Sequence, residues 1–179
     1  GPDRLAQHMK LQEKKYLVES FTEIIQLLKD KGAEKIKEIK SIHYYGHHEG
    51  NNVEKFVEYF DRFEIHILDE ISGQFVIKEH RLIPDKNTGF TWLKNLGYTT
   101  VDIIKMDCSE YKYINGTVGL YVIDNFLNSI ILYYPPVDLE NMEKEFRLNP
   151  LEVIKLPYNK YLNKVGKLKS IKLVKVTPW

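Results

Sequence analysis

Short stretches in which apolar and polar residues alternate recur along most of the chain, and this period of two limits the fold more than any other feature. It is the mark of strands with one face buried and one face wet. Residues 14–19 form a first short strand, and residues 35–45 alternate isoleucine with Lys or Glu. Two alternating stretches fill residues 53–68, and residues 74–83 form another strand that Pro84 ends. Residues 100–113, 118–124 and 129–134 read as strands around a turn at Gly116, and Pro135-Pro136 closes that run. Residues 165–176 read as a final pair of strands or one long one. Helical spacing is confined to a few places. Phe21, Ile24, Ile25 and Leu28 line one face of a helix over 21–31, with Ser20 or Thr22 as its cap and Gly32 as its stop. A second helix over 87–96 stops at Gly97, and a third is expected over 138–146.

Two of these units resemble each other. Residues 27–45 lie over residues 92–110 without a gap, so that Leu28 falls on Leu93, Lys29 on Lys94, Gly32 on Gly97, Ile39 on Ile104 and Lys40 on Lys105. Each reads helix, glycine stop, strand, which suggests two pseudo-repeated halves. So many strands with so few helices predict an α+β fold, an antiparallel sheet with flanking helices. Closure into a barrel or tunnel would remove its edges.

Composition narrows the class. With 43% hydrophobic and 28% charged residues in 179, the chain can bury a core and is expected to form one domain over residues 9–179. Lys and Arg number 26 against 25 Asp and Glu, which argues against a binder that holds nucleic acid by bulk charge alone. Cys108 is the single cysteine and can make no internal disulfide. No signal peptide or membrane-length apolar run is recognisable, so a cytoplasmic protein without membrane attachment is expected. Gly1-Pro2 reads as the remnant of a cleaved tag and residues 3–8 as vector sequence, placing the natural start at Met9 and discarding His8 as a ligand.

The order of elements resembles the CYTH superfamily of triphosphate tunnel metalloenzymes, which includes class IV adenylate cyclases, thiamine triphosphatases and polyphosphatases. Its first strand carries Glu-x-Glu-x-Lys, and Leu11-Gln12-Glu13-Lys14-Lys15-Tyr16-Leu17-Val18 follows that register with Leu11 in place of the first Glu. Ile42-His43-Tyr44-Tyr45, Ile77-Lys78-Glu79-His80-Arg81, Leu96-Gly97 and Val122-Ile123-Asp124 follow the family outline. Lys105-Met106-Asp107 keeps only the first residue of Lys-x-Arg, and Ile131-Leu132-Tyr133-Tyr134 carries no acid where the family has Glu-x-Glu.

The resemblance implies a nucleoside triphosphate or other polyphosphate bound in a sheet-lined tunnel. Glu13 and Lys15 would be the catalytic residues. Lys15, Lys78, Arg81 and Lys105 would contact phosphates, and Glu13 and Asp124 would hold Mg²⁺ or Mn²⁺. A chain of phosphoryl groups needs several converging cations, and hard ions need oxygen ligands. Leu11, Leu132 and Tyr134 stand where acids are expected, leaving Glu13, Asp124 and the nearby Glu143 and Glu145. The expected activity is therefore a metal-dependent phosphohydrolase or nucleotidyl cyclase, weakened by those losses. The alternative is a non-catalytic module that keeps the fold and binds a nucleotide, nucleic acid or protein partner. Oligomeric state is left open.

Simpler readings compete for individual residues. Glu13 and Lys15 also suit a solvated edge-strand pair, and Lys78, His80 and Arg81 a charged outer face. His43, His47, His48 and Glu49 lack the spacing of a structural zinc site. The six lysines between Lys160 and Lys175 read as a wet strand face, with Asp138, Glu140, Glu143 and Glu145 as its acidic counterpart.

Overall fold

The computed structural model describes residues 11–174. The expected tag remnant, the start at Met9, and Lys175 and Val176 lie outside the described residues. The chain runs β1 (Gln12–Val18), α1 (Thr22–Asp30), β2 (Glu34–Gly46), β3 (Val53–Glu58), β4 (Phe63–Ile71) and β5 (Gln74–Ile83). It continues with α2 (Lys86–Asn95), β6 (Thr100–Tyr113), β7 (Gly116–Ile123), β8 (Leu127–Tyr134) and α3 (Pro136–Glu145). A 3₁₀ turn (Pro150–Glu152), β9 (Val153–Ile154), α4 (Tyr158–Lys164) and β10 (Lys169–Lys172) complete it. The pairing order is β10-β6-β2-β3-β4-β5-β1-β8-β7, with β9 on β1, and β6 also pairs β7. Eight strands thus return to their starting point, the connectivity of an antiparallel barrel in an α+β fold.

The glycine stops behave as the repeat predicts. Gly32 and Gly97 have φ of 70° and 97°, a region that costs other residues strain. Ala33 N–H donates to Leu28 O at 2.9 Å and Tyr98 N–H to Leu93 O at 3.1 Å, so both helices end in the same Schellman closure. Leu28 and Leu93, which the alignment superposes, are both fully buried. The expected cap of α1 differs. Phe21 holds the cap position without a side-chain bond, and Ser20 Oγ accepts only from Thr22 N–H at 3.3 Å.

The chain falls into two compact units, each made of three segments. The first holds residues up to Lys40, Glu70–Val76 and Met106–Lys155. Here α1 and α3 cover one face of the sheet. Tyr16, Val118, Leu120, Ile130, Leu132 and Tyr134 pack there against Ile24, Leu28, Leu139, Met142 and Phe146. Each of these buried side chains contributes about 1.5–3 kcal/mol.

The second unit holds Ser41–Asp69, Ile77–Lys105 and the chain from Leu156 onward. Tyr44, Phe56 and Ile65 pack there with Val101 under Leu93 of α2. Asp85 caps that helix by accepting from Thr88 N–H at 2.8 Å.

Two expectations about the C-terminal part need correction. Among residues 165–174 there is neither a pair of strands nor one long one: only Lys169–Lys172 pair, with β6, and a helix the alternation did not reveal precedes them. The acids of α3 do not pair with that basic segment. Glu143 binds Lys14 at 2.6 Å, Glu145 binds Lys31 at 3.1 Å and Glu140 binds Lys144 at 3.4 Å.

Candidate functional site

A strand shows alternate side chains to opposite faces, so in the first unit the face away from α1 and α3 is set by sequence. On β1 it carries Glu13, Lys15 and Leu17, while Lys14, Tyr16 and Val18 turn toward the helices. Register extends this face across the sheet. Glu13 lies opposite Tyr133, Lys15 opposite Ile131 and Leu17 opposite Ser129. Those residues face Thr117, Gly119 and Tyr121 of β7, which face Lys112, Glu110 and Cys108 of β6. The result is a polar wall backed by an apolar one.

Lys15 is only 4% exposed, and its Nζ lies 4.0 Å from the centre of the Phe75 ring. A cation over an aromatic face keeps its charge at reduced hydration. The Tyr121 ring leans over Gly119, where a Cβ would come within 2.5 Å of it. Burial, with Glu13, Glu110 and Cys108 nearby, holds the Tyr121 hydroxyl well above its ordinary range. Burial and the same two carboxylates raise Tyr133. Glu13 and Glu110 therefore act on the same pair of phenols. Lys37 reaches Glu110 at 4.0 Å. Burial pushes the Cys108 thiol up to about 11, which leaves it protonated and inert at neutral pH. The wall thus combines two carboxylates, the cations Lys15, Lys37 and Lys112, and two tyrosine hydroxyls. Carboxylate oxygens are the ligand type Mg²⁺ and Mn²⁺ take, and Glu13 and Glu110 stand three strands apart across this face.

The other expected residues are not all brought to this wall. Asp124 occupies the β7–β8 turn with φ of 49°, followed by Asn125 at 63°, the backbone of a type I′ hairpin. Six residues of β8, about 20 Å, separate the partner of Glu13 from the end of the ladder beside Asp124. Glu13 and Asp124 are too far apart to share an ion. Lys105 falls in the second unit and alternates onto the face of Val101 and Ile103, opposite to that of Cys108 and Glu110. Arg81, also in the second unit, binds Glu79 at 2.6 Å, and one residue of each neighbouring pair points each way, so Lys78 shares the face of His80 and not that of Arg81. Leu132 and Tyr134 belong to the apolar cluster, so no acid at those positions would line the polar wall. Glu143 is likewise on the helix side. Sequence reading missed Glu110, Tyr121, Lys37 and Lys112. The period of two in residues 108–112 was the available signal, and only register with β7 gives it meaning.

A groove of about 440 Å³ in the first unit lies on the other side, lined by Phe21, Ile25, Ile39, Asp107, Tyr111 and Leu120, and includes neither Glu13 nor Lys15.

The second unit carries its own polar cluster. His66 Nε2 bonds Glu64 Oε1 at 2.8 Å, and the His66 and His80 rings stack with centres 3.7 Å apart. His43 is buried, with Nε2 2.9 Å from Ser41 Oγ. Burial, with Lys55 and His66 nearby, holds its imidazole well below the ordinary range and therefore neutral. Asp102 is wholly buried and accepts from His47 Nδ1 at 2.9 Å, Asn159 Nδ2 at 2.9 Å and Ser170 Oγ at 2.6 Å. Those three donors supply what a buried carboxylate requires. His48 bonds Asn52 O at 2.6 Å, so His47 and His48 take separate partners.

No helix among the described residues is long and apolar enough to cross a membrane. No known family's sequence profile matches the chain, and no curated protein resembles it in sequence. Solved structures do resemble it. A protein of Pyrococcus horikoshii superposes with a TM-score of 0.72 at 15% identity, over 83% of this chain and 96% of that one. A candidate adenylate cyclase from Vibrio parahaemolyticus gives 0.66 at 15% identity, over 87% and 99%. A candidate adenylyl cyclase from Hippeastrum, in which triphosphatase activity dominates, gives 0.53 at 11% identity, over 90% and 98%. The likeness is one of fold.

Proposed function

We propose that the polar wall of the first unit binds the phosphoryl chain of a nucleoside triphosphate or another polyphosphate, and that the chain is a diverged CYTH-like protein. One observation carries this reading. Lys15 is a buried cation on the strand face of Glu13, a face that Tyr133, Tyr121 and Glu110 share across the sheet. A buried ammonium on a face that also carries carboxylates and phenols is suited to a multiply charged anion, which it meets through charge-assisted hydrogen bonds. The fold shared with candidate cyclases, one of them chiefly a triphosphatase, supports the same class of ligand.

In this reading Lys15 binds a phosphoryl oxygen, and Lys37 and Lys112 add charge at the edge of the wall. Tyr121 and Tyr133 stay protonated and can donate to phosphoryl oxygens. Glu13 would be the wall's ligand to Mg²⁺ or Mn²⁺, which would take its remaining oxygens from water and the phosphoryl chain and neutralise phosphoryl charge. Glu13 also suits a proton acceptor for an attacking water or hydroxyl. The reaction is then phosphohydrolysis or cyclisation, slowed by the loss of an acid at Leu11.

Calorimetry with tripolyphosphate tests the binding. Lys15→Met keeps the length of the side chain and removes its charge, and affinity should fall by roughly tenfold or more. Unchanged affinity in a folded variant overturns the reading. Phosphate or cyclic-nucleotide release with Mn²⁺, abolished in Glu13→Gln, would mark an enzyme. Binding without release would favour the non-catalytic module, a reading motivated by the short supply of carboxylates.

A further inference from the structure

We propose a second, independent site: a transition-metal dication of the Zn²⁺ class bound in the second unit by Glu64, His66 and His80. Their ligand atoms, one from each residue, all lie within 4.8 Å of one another. Glu64 and His66 alternate onto one face of β4, and stacking brings His80 of β5 beside them. Two ligands at ordinary Zn–N and Zn–O distances of about 2.0–2.1 Å are roughly 3.3–3.4 Å apart at the tetrahedral angle. His66 Nε2 and Glu64 Oε1, 2.8 Å apart, need to separate by only about half an ångström to take an ion between them. An ion entering between them replaces one proton, and the ring proton of His66 moves to Nδ1. His80 is exposed and can turn its ring to offer the third nitrogen, leaving a fourth position for water.

The surroundings suit ligands of this kind. Arg62 holds the other oxygen of Glu64 at 2.6 Å and is itself held by Asp61 at 2.9 Å and by the Tyr59 ring at 4.2 Å. This is the outer support that a ligating carboxylate needs. Lys55 opposes an incoming cation, yet its Nζ is engaged with the Tyr45 hydroxyl at 3.3 Å. Two imidazoles and one carboxylate favour Zn²⁺ or Co²⁺ over Mg²⁺, which prefers all-oxygen ligands. The set is separate from Glu13 and Glu110, so its failure would leave the polyphosphate reading standing.

The test is titration of chelator-treated full chain with Co²⁺, followed by its visible absorption, and with Zn²⁺, followed by thermal shift. One equivalent should bind with a tetrahedral Co²⁺ spectrum and raise Tm. His80→Ala should weaken binding more than about tenfold while keeping the metal-free Tm, because His80 is exposed. Glu64→Gln should weaken it similarly, and His48→Ala should not. No binding by the wild type, undiminished binding in His80→Ala, or loss in His48→Ala overturns the proposal.

Discussion

Glu143 and Glu145 each hold one lysine and one tyrosine to α3. Lys14 and Tyr16 donate to Glu143, and Lys31 and Tyr113 to Glu145. Burial raises the Glu143 carboxyl, but the bonds from Lys14 and Tyr16 outweigh it and the net is a lowered value. The bond from Tyr113 leads in lowering Glu145. Both bind fewer protons folded than unfolded, so their stabilisation is complete above the ordinary value of 4.5 and drains away as pH falls through the lowered ones. Glu143→Gln should cost about 1–3 kcal/mol at neutral pH in urea melts. That difference should shrink at pH values well below 4.5, and a constant gap would refute the assignment. Glu13 and Lys15 were legible as a pair because alternation alone puts them on one face. Asp124 was not, because a turn residue has no face until its hairpin is known. The face of Lys105 was not legible either: it depends on where the alternation of β6 is counted from, and the packing of Val101 and Ile103 fixes that.

At the level of elements, α2 approaches its sheet through Gly89, where a Cβ would fall 2.5 Å from the Phe56 ring. Alanine gains about 1 kcal/mol of helix propensity over glycine, whereas forcing a methyl into a packed contact costs about 1–3 kcal/mol. Gly89→Ala should therefore lower Tm despite its better propensity, and a rise in Tm would mean the helix can lift freely. Helices with a glycine stop were readable, since Gly32 and Gly97 mark the ends of α1 and α2. The short helix α4 was not, because its lysines and asparagines mask the two buried apolar anchors Tyr158 and Leu162. Strand β9 has two residues, too few to show a period.

Over the whole molecule, the chain passes between its two units five times, at Lys40, Asp69, Val76, Lys105 and Lys155. The segment after Lys155 supplies Asn159 and Ser170 to the buried Asp102. Ending the chain at Lys155 would leave that carboxylate with His47 alone, a loss on the order of 3–5 kcal/mol from broken buried contacts to a charge. The truncated chain should lose its cooperative thermal transition, measured by circular dichroism, and a sharp transition near the full-length Tm would contradict this account. The order of elements was legible because each strand carries its own period. This interleaving was not, because it depends on pairings between residues far apart in sequence, such as Glu13 with Tyr133.

That threading also limits how such a gene can be rearranged. No single cut releases one unit intact, since each borrows from early, middle and late coding sequence. A single crossover with a distant relative anywhere between residues 42 and 155 would give both units parts of mixed parentage.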